Sequence, residues 1–376
     1  MSLVAFLDNS DRAGGAGDGP REPDPRAARF HRTIPGYAPS ALAEAPAAAE
    51  QLGLSRLLVK RETERFGLPS FKILGASWAI CRVLSLRAGL PPAASFDELR
   101  AMIPRLDGLT LVAATDGNHG RAVAHMARLL GLGARILVPE HTARARIDAI
   151  AGEGATVDVV RGSYDDAVRR SASLASDDHL VISDTSWPGY ETVPGWVADG
   201  YATIFEELAE QIDGAAPPLV AIQIGVGALA SAAVRALAGP GRVIVGVEPA
   251  DADCALRAVR DGKPVLVDGP HRSVMAGLNC GVASQIALPD MAAGIAAFCA
   301  IDDRSAEEAV RLLLTEDLAC GETGAAGVAG LLALREDRPA DTWRRLGLAD
   351  ARPAALVICT EGPTDPESFA RITARG

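Results

Sequence analysis

Apolar and polar positions along the chain fall into two alternating rhythms. Short, nearly continuous apolar runs are predicted as strands: LTLVAAT (109–115), ARILVP (134–139), ATVDVV (155–160), HLVISD (179–184), LVAIQIG (219–225), VIVGVEP (243–249) and AALVICT (354–360). Between them, HGRAVAHMARLLG, ARARIDAIAGEG, DDAVRRSASLA and ALASAAVRALAG carry apolar residues at helical spacing. Strands that are apolar on both faces and separated by helices belong in parallel sheets covered on both sides. The four runs from 109 to 184 are closely spaced and are expected to share one sheet. The predicted fold is therefore α/β, with two doubly wound domains and parallel-rich sheets. A small α/β domain spans 96–214, and a larger one is assembled from 30–95 and 215–376. Residues 1–29 are expected to be a disordered lead-in, because 11–29 are rich in Gly, Pro, Asp and Arg and lack apolar periodicity.

Composition narrows the function classes. Hydrophobic residues make up 48% and charged residues 23% of the 376, an ordinary balance for a globular protein. The net charge of −11 is scattered, so no basic stripe exists to bind a nucleic acid. No apolar run reaches 18 residues, so no membrane span is expected, and the N-terminus does not read as a secretory signal. None of the six cysteines forms a C-x-x-C pair, which speaks against a zinc ribbon or a thioredoxin-type motif.

Three segments could carry chemistry. Ser70-Phe71-Lys72-Ile73-Leu74-Gly75 sets a lysine among apolar neighbours, where desolvation should lower its pKa toward the neutral amine that forms a Schiff base. The competing reading is a surface lysine at a helix start. Thr115-Asp116-Gly117-Asn118-His119-Gly120 turns from a strand into a helix whose N-terminus suits a carboxylate. It reads equally as an ordinary turn with an N-cap. Gly225-Val226-Gly227-Ala228-Leu229-Ala230 is another strand-to-helix turn, either a phosphate cradle or a G-x-G-x-x-A dinucleotide fingerprint with Glu248 as its acid.

The order of these segments resembles that of fold type II pyridoxal-phosphate (PLP) enzymes, the tryptophan-synthase-type group. Further segments narrow the resemblance: Arg65-Phe66-Gly67, Asp184-Thr185-Ser186-Trp187-Pro188-Gly189-Tyr190, Trp196 with Gly200-Tyr201, Val247-Glu248-Pro249, Met275 to Gly281, Gly321-Glu322-Thr323-Gly324-Ala325 and Thr360-Glu361-Gly362-Pro363-Thr364-Asp365. Taken together, from about Phe30 to about Thr364, the chain resembles the diaminopropionate ammonia-lyases. Serine and threonine dehydratases are similar too, but usually carry a hydroxyl where Asp116 stands. Arg61, where an acid is expected, and Ser40-Ala41, where Thr-Pro is expected, depart from the family pattern.

The resemblance implies PLP as cofactor, a small amino-acid substrate, a cytoplasmic homodimer, and α,β-elimination of 2,3-diaminopropionate to pyruvate and two ammonia. It makes Lys72 the cofactor-holding residue, with Asp116 and Asp184 as further catalytic residues. The loop from Gly225 to Ala230, including Val226, Gly227, Ala228 and Leu229, would hold the phosphate. Asn118 would bond the ring hydroxyl and Thr360 the pyridine nitrogen. Thr115, Asp116, His119, Asp184 and Tyr190 would face the substrate. In a chain with only 4% aromatic residues, the cluster Trp187, Tyr190 and Trp196 reads either as a pocket wall or as plain core or interface aromatics. Alternatives are a related PLP lyase or β-replacement enzyme acting on serine, threonine or a specialised amino acid, a non-catalytic relative, and a nicotinamide dehydrogenase using 225–230. Cys254 and Cys280 are expected near the pocket mouth, either bridged or, as a reducing cytoplasm favours, as two buried thiols.

Overall fold

The computed structural model describes residues 2–10, 22–106, 108–337 and 342–374. Its strands, in chain order, are β1 (Leu3–Asp8), β2 (Leu42–Glu44), β3 (Arg56–Arg61), β4 (Thr110–Ala114), β5 (Gly133–Pro139), β6 (Thr156–Val160), β7 (His179–Val181), β8 (Leu219–Gln223), β9 (Val243–Pro249), β10 (Ala297–Ile301) and β11 (Ala354–Cys359). They form a seven-stranded sheet of order β1-β10-β9-β8-β11-β3-β2 and a four-stranded sheet of order β6-β5-β4-β7. The smaller sheet is parallel throughout. In the larger one the five central strands are parallel, and only the edge strands β1 and β2 run antiparallel.

Burial explains the pattern. Every residue of β8, β9 and β10 is buried, as expected for strands with helices on both faces. One apolar layer lies between the sheets and spans both, built around the helices Lys72–Arg87, Asn118–Leu130 and Thr192–Gln211. A second lies on the far face of the large sheet, around Glu322–Asp337. Four of the functional segments follow the carboxyl ends of strands: Thr115–His119 after β4, Asp184 shortly after β7, Gly225–Leu229 after β8 and Thr360-Glu361 after β11, while Lys72 opens the next helix after β3. Doubly wound sheets place their ligands at these ends.

The expected lead-in over 1–29 is corrected here in two places. Leu3–Asp8 is not a disordered lead-in but an edge strand paired with β10, and Arg26–His31 is helical with Ala27 and Ala28 buried. Residues 11–21 lie outside the described residues. The strands β1, β2, β3 and β10 have no counterpart among the predicted runs.

Candidate active site

A cavity opens where the two sheets face each other. Lys72 is the first residue of the helix Lys72–Arg87, and its Nζ donates to Asp184 Oδ2 at 2.7 Å. The same ammonium lies 5.3 Å from the Phe71 ring centre and 5.9 Å from that of Tyr201. Burial alone would lower the lysine's pKa, but the Asp184 carboxylate outweighs it and holds Lys72 well above its ordinary value. The expectation of a lysine lowered by its apolar setting is thus overturned, because an acid from another strand end sits against it.

Asp184 is buried and tightly partnered. Burial would raise its carboxyl, but Lys72 outweighs that and keeps it far below the usual carboxylate range. Tyr164 Oη donates to its other oxygen at 3.1 Å. His119 Nε2 donates to the Ile182 carbonyl at 2.8 Å, so the ring's remaining nitrogen, Nδ1, lies 3.9 Å from Asp184 Oδ2 without a hydrogen-bond partner. Burial pushes His119 below its ordinary pKa, toward the neutral ring. Asp116 behaves oppositely to Asp184. Desolvation, only partly offset by Arg146, pushes its carboxyl up to about 8. One cavity therefore holds an acid kept ionised and an acid kept protonated near neutrality.

The remaining walls suit a phosphorylated pyridine. Gly227 has φ +102 and precedes the helix Ala228–Leu237, whose first N–H groups have no partner within the helix. A Cβ on Gly227 would fall 2.9 Å from Met291, so this close turn at a helix start takes only glycine. Gln223 Nε2 donates to Thr360 Oγ1 at 2.9 Å, which leaves the hydroxyl hydrogen of Thr360 free to meet a ring nitrogen in the cavity. A lysine, an anion cradle and a buried hydroxyl around one space fit PLP.

The comparisons agree with this geometry. A family model described as "Pyridoxal-phosphate dependent enzyme" matches residues 34–343. The diaminopropionate ammonia-lyase of Escherichia coli is 34% identical over 363 residues, covering 93% of this chain and 91% of the relative. The crystal structure of the holo form of the E. coli enzyme superposes with a TM-score of 0.89 at 33% identity, covering 100% of this chain and 98% of the other. The same enzyme in complex with an aminoacrylate-PLP azomethine reaction intermediate superposes at 0.87 and 32% identity over the same spans. The chain belongs to the diaminopropionate ammonia-lyase family. With that family, it is a PLP-dependent lyase of fold type II.

Within this ammonia-lyase fold, Lys72, Thr115, Asp116, Asn118, His119, Asp184, Gly225 to Leu229 and Thr360 all line the one cavity. Ala230 does not, since the helix has already carried it into the core. Tyr190 is a second correction. Its hydroxyl donates to the Val181 carbonyl at 2.6 Å and its ring stacks on Trp187 at 4.2 Å, so it fastens the end of β7. Neither Trp187, Tyr190 nor Trp196 lines the cavity; Phe71 and Tyr164 do. Asn118 donates its side-chain amide to Glu361, a residue missed as a site member although it lies inside a matched motif. Glu248 accepts from the backbone N–H groups of Ala255 and Leu256 at 2.7 and 2.8 Å, which removes it as a ribose ligand. Cys254 and Cys280 are unbridged buried thiols, and the bridge joins Cys320 to Cys359 instead.

Sequence reasoning also missed Tyr164, Gln223 and Arg146. Tyr164 and Arg146 sit in amphipathic helices, where one buried polar position looks like any exposed one. Gln223 is the lone polar residue of the apolar run LVAIQIG, and that irregularity was a usable signal.

Proposed function

We propose that the chain eliminates ammonia from 2,3-diaminopropionate, with pyruvate and two ammonia as final products. The observation that carries this reading is the contrast between two acids lining one cavity with Lys72: Asp184 held ionised and Asp116 held near 8. Titratable groups whose environments push them apart mark acid–base assignments. PLP, when bound through Lys72, supplies an electron sink for the bond broken at the substrate α-carbon.

The chain's own residues do the rest. Lys72 takes the α-proton from one face, and Asp116 takes it for the opposite configuration. Asp184, no longer facing a lysine ammonium once Lys72 serves as the neutral base, pairs with the substrate β-ammonium and keeps it protonated until it departs as ammonia. The released three-carbon enamine hydrolyses to pyruvate and the second ammonia. Thr360 offers a hydroxyl to the ring nitrogen, Asn118 faces the ring hydroxyl, and the Gly225–Leu229 loop receives the phosphate. Thr115 and His119 border the substrate. Two carboxyls facing the reacting carbons suit a cationic leaving group better than the neutral hydroxyl of serine or threonine.

A pyruvate assay on both enantiomers of 2,3-diaminopropionate, with serine and threonine alongside, tests the reading. Diaminopropionate should be turned over far faster than either hydroxy amino acid, and equal or faster turnover of serine would overturn it. A division into 96–214 and its flanking segments belongs to the same proposal, supported by sheet membership: β4 to β7 fall inside it and the other strands outside. So do a homodimer, which light scattering would check, and a cytoplasmic setting. Among the described residues no helix is long and apolar enough to cross a membrane.

A further inference from the structure

Arg146 belongs to the short helix Arg144–Ala151, on which Arg144 is exposed and Arg146 is only 8% exposed. Its stem crosses Gly117, whose φ is +150 and whose added Cβ would fall 3.0 Å from Arg146 Cδ. The guanidinium is thereby laid over the Thr115–His119 loop, at the point where the cavity opens into a wider polar vestibule. Arg146, Asp116 and Tyr164 line both spaces.

This buried cation is under-satisfied. Its Nε has no hydrogen-bond partner. Of the acids around it, Asp116 and Glu322 are shifted by burial toward the neutral form, and Glu361 lies with Oε1 4.0 Å from Nη2, beyond hydrogen-bond reach, with that Oε1 itself unpartnered. A buried guanidinium with unused donors is costly unless an anion completes it. Charge balance points the same way. Arg146 is the permanent cation of the cavity wall, since Lys72 holds the cofactor at rest and meets the bound substrate as a neutral base. The substrate's β-ammonium goes to a carboxylate, which leaves its α-carboxylate without a cation except Arg146.

We propose that Arg146 is a substrate-binding residue that receives the α-carboxylate of the bound amino acid. A planar fork of donors above the loop that precedes the helix Asn118–Leu130 would hold that carboxylate from one side while the helix N-terminus meets it from the other. The site selects α-amino carboxylates over amines and amides of the same size. The inference rests on the reading of this cavity as an amino-acid site.

The test uses holoenzyme and two ligands with no β leaving group, alanine and alaninamide, whose binding is read by calorimetry and by the visible spectrum. Wild type should bind alanine well and alaninamide weakly. Arg146→Gln should weaken alanine by about 30-fold or more, the scale of losing one partner of a buried charge pair. Alaninamide affinity and PLP affinity should be unchanged. Arg146→Lys should recover part of the loss and guards against a folding defect, which circular dichroism of both variants also reports. In turnover of diaminopropionate the loss should fall mainly on KM. Equal weakening of alanine and alaninamide, or unchanged alanine binding, would overturn the role of Arg146. Failure of wild type to bind either ligand would overturn the amino-acid site itself, and the inference with it.

Discussion

Two of the buried charge clusters among the described residues are built to opposite specifications. The first joins Lys60, Glu62, Arg65 and Glu207, all fully buried. Every charge there meets a close partner: Lys60 Nζ to Glu207 at 2.8 Å, Arg65 to Glu207 at 2.6 Å and to Glu62 at 2.5 Å, with Ser40, Tyr37 and Gln211 filling the remaining positions. The second surrounds Lys72 and leaves His119 Nδ1, Arg146 Nε and Glu361 Oε1 without partners. A complete network ties β3 to the helix Thr192–Gln211. An incomplete one waits for a ligand. Burial and charge alone do not separate structure from function here; the count of unmet hydrogen bonds does.

Substitution at the two centres should separate them most sharply. Lys72→Ala should cost at least about 10³-fold in elimination and remove the visible cofactor absorbance, consistent with losing a covalent catalytic group. Full activity in this variant would end the assignment of the second cluster. Glu207→Gln should instead destabilise the fold by about 3–5 kcal/mol in urea, because two buried cations lose their counter-charge, while the absorbance per folded molecule stays the same.

The pH dependence of the two regions should also differ in sign. Burial opposes ionisation of Glu207, but Arg65 and Lys60 win and hold its carboxyl down at about 2. Its contribution to stability is present above the ordinary glutamate range and is lost as pH falls through about 2. Asp116 is held up at about 8, so it binds a proton in the folded protein that the unfolded chain releases. Its effect on stability is favourable below about 4 and declines as pH rises through 8. For the enantiomer that uses Asp116 as base, kcat/KM should therefore climb with an inflection near 8. Asp116→Asn should lower that enantiomer's rate by about 10²-fold, within the range for removing a general base, and leave the other largely intact. Equal losses would refute the two-base scheme.

Smaller effects probe the borders. Gly227→Val should weaken PLP binding by about tenfold or more, since a side chain at positive φ distorts the turn. Fluorescence titration measures it, and circular dichroism should show the fold retained. Tyr190→Phe should cost only about 1 kcal/mol, the worth of one hydrogen bond, with KM unchanged. A raised KM would return Tyr190 to the pocket.

The parts of this design that were legible in the sequence are those written contiguously. Lys72, the Thr115–His119 turn and the 225–229 loop each sit in an unbroken motif, and most of the parallel strands announce themselves as apolar runs. The parts that were hidden depend on distant segments meeting. The strand β3 reads RLLVKR, and its terminal charges hide a buried strand whose Lys60 finds Glu207 147 positions away. The edge strand β1 is stabilised by β10, which nothing local reveals. Arg144 and Arg146 are two residues apart on one helix, and only the packing of Gly117 distinguishes the buried one.

The order of strands in the large sheet has a consequence for how the molecule is made. β11 lies between β8 and β3, so it is the seam that joins β2-β3 to β8-β9-β10. The four-stranded sheet is continuous in the chain and can close as soon as residue 181 is available. The large sheet remains in two unattached pieces until residues 354–359 leave the ribosome. Nascent chains shorter than that expose the unpaired edges of β3 and β8, the form of chain most prone to aggregate. A nascent chain arrested just before β11 should hold a protease-resistant 96–214 core and a cleavable remainder, and one arrested after β11 has emerged should become resistant throughout.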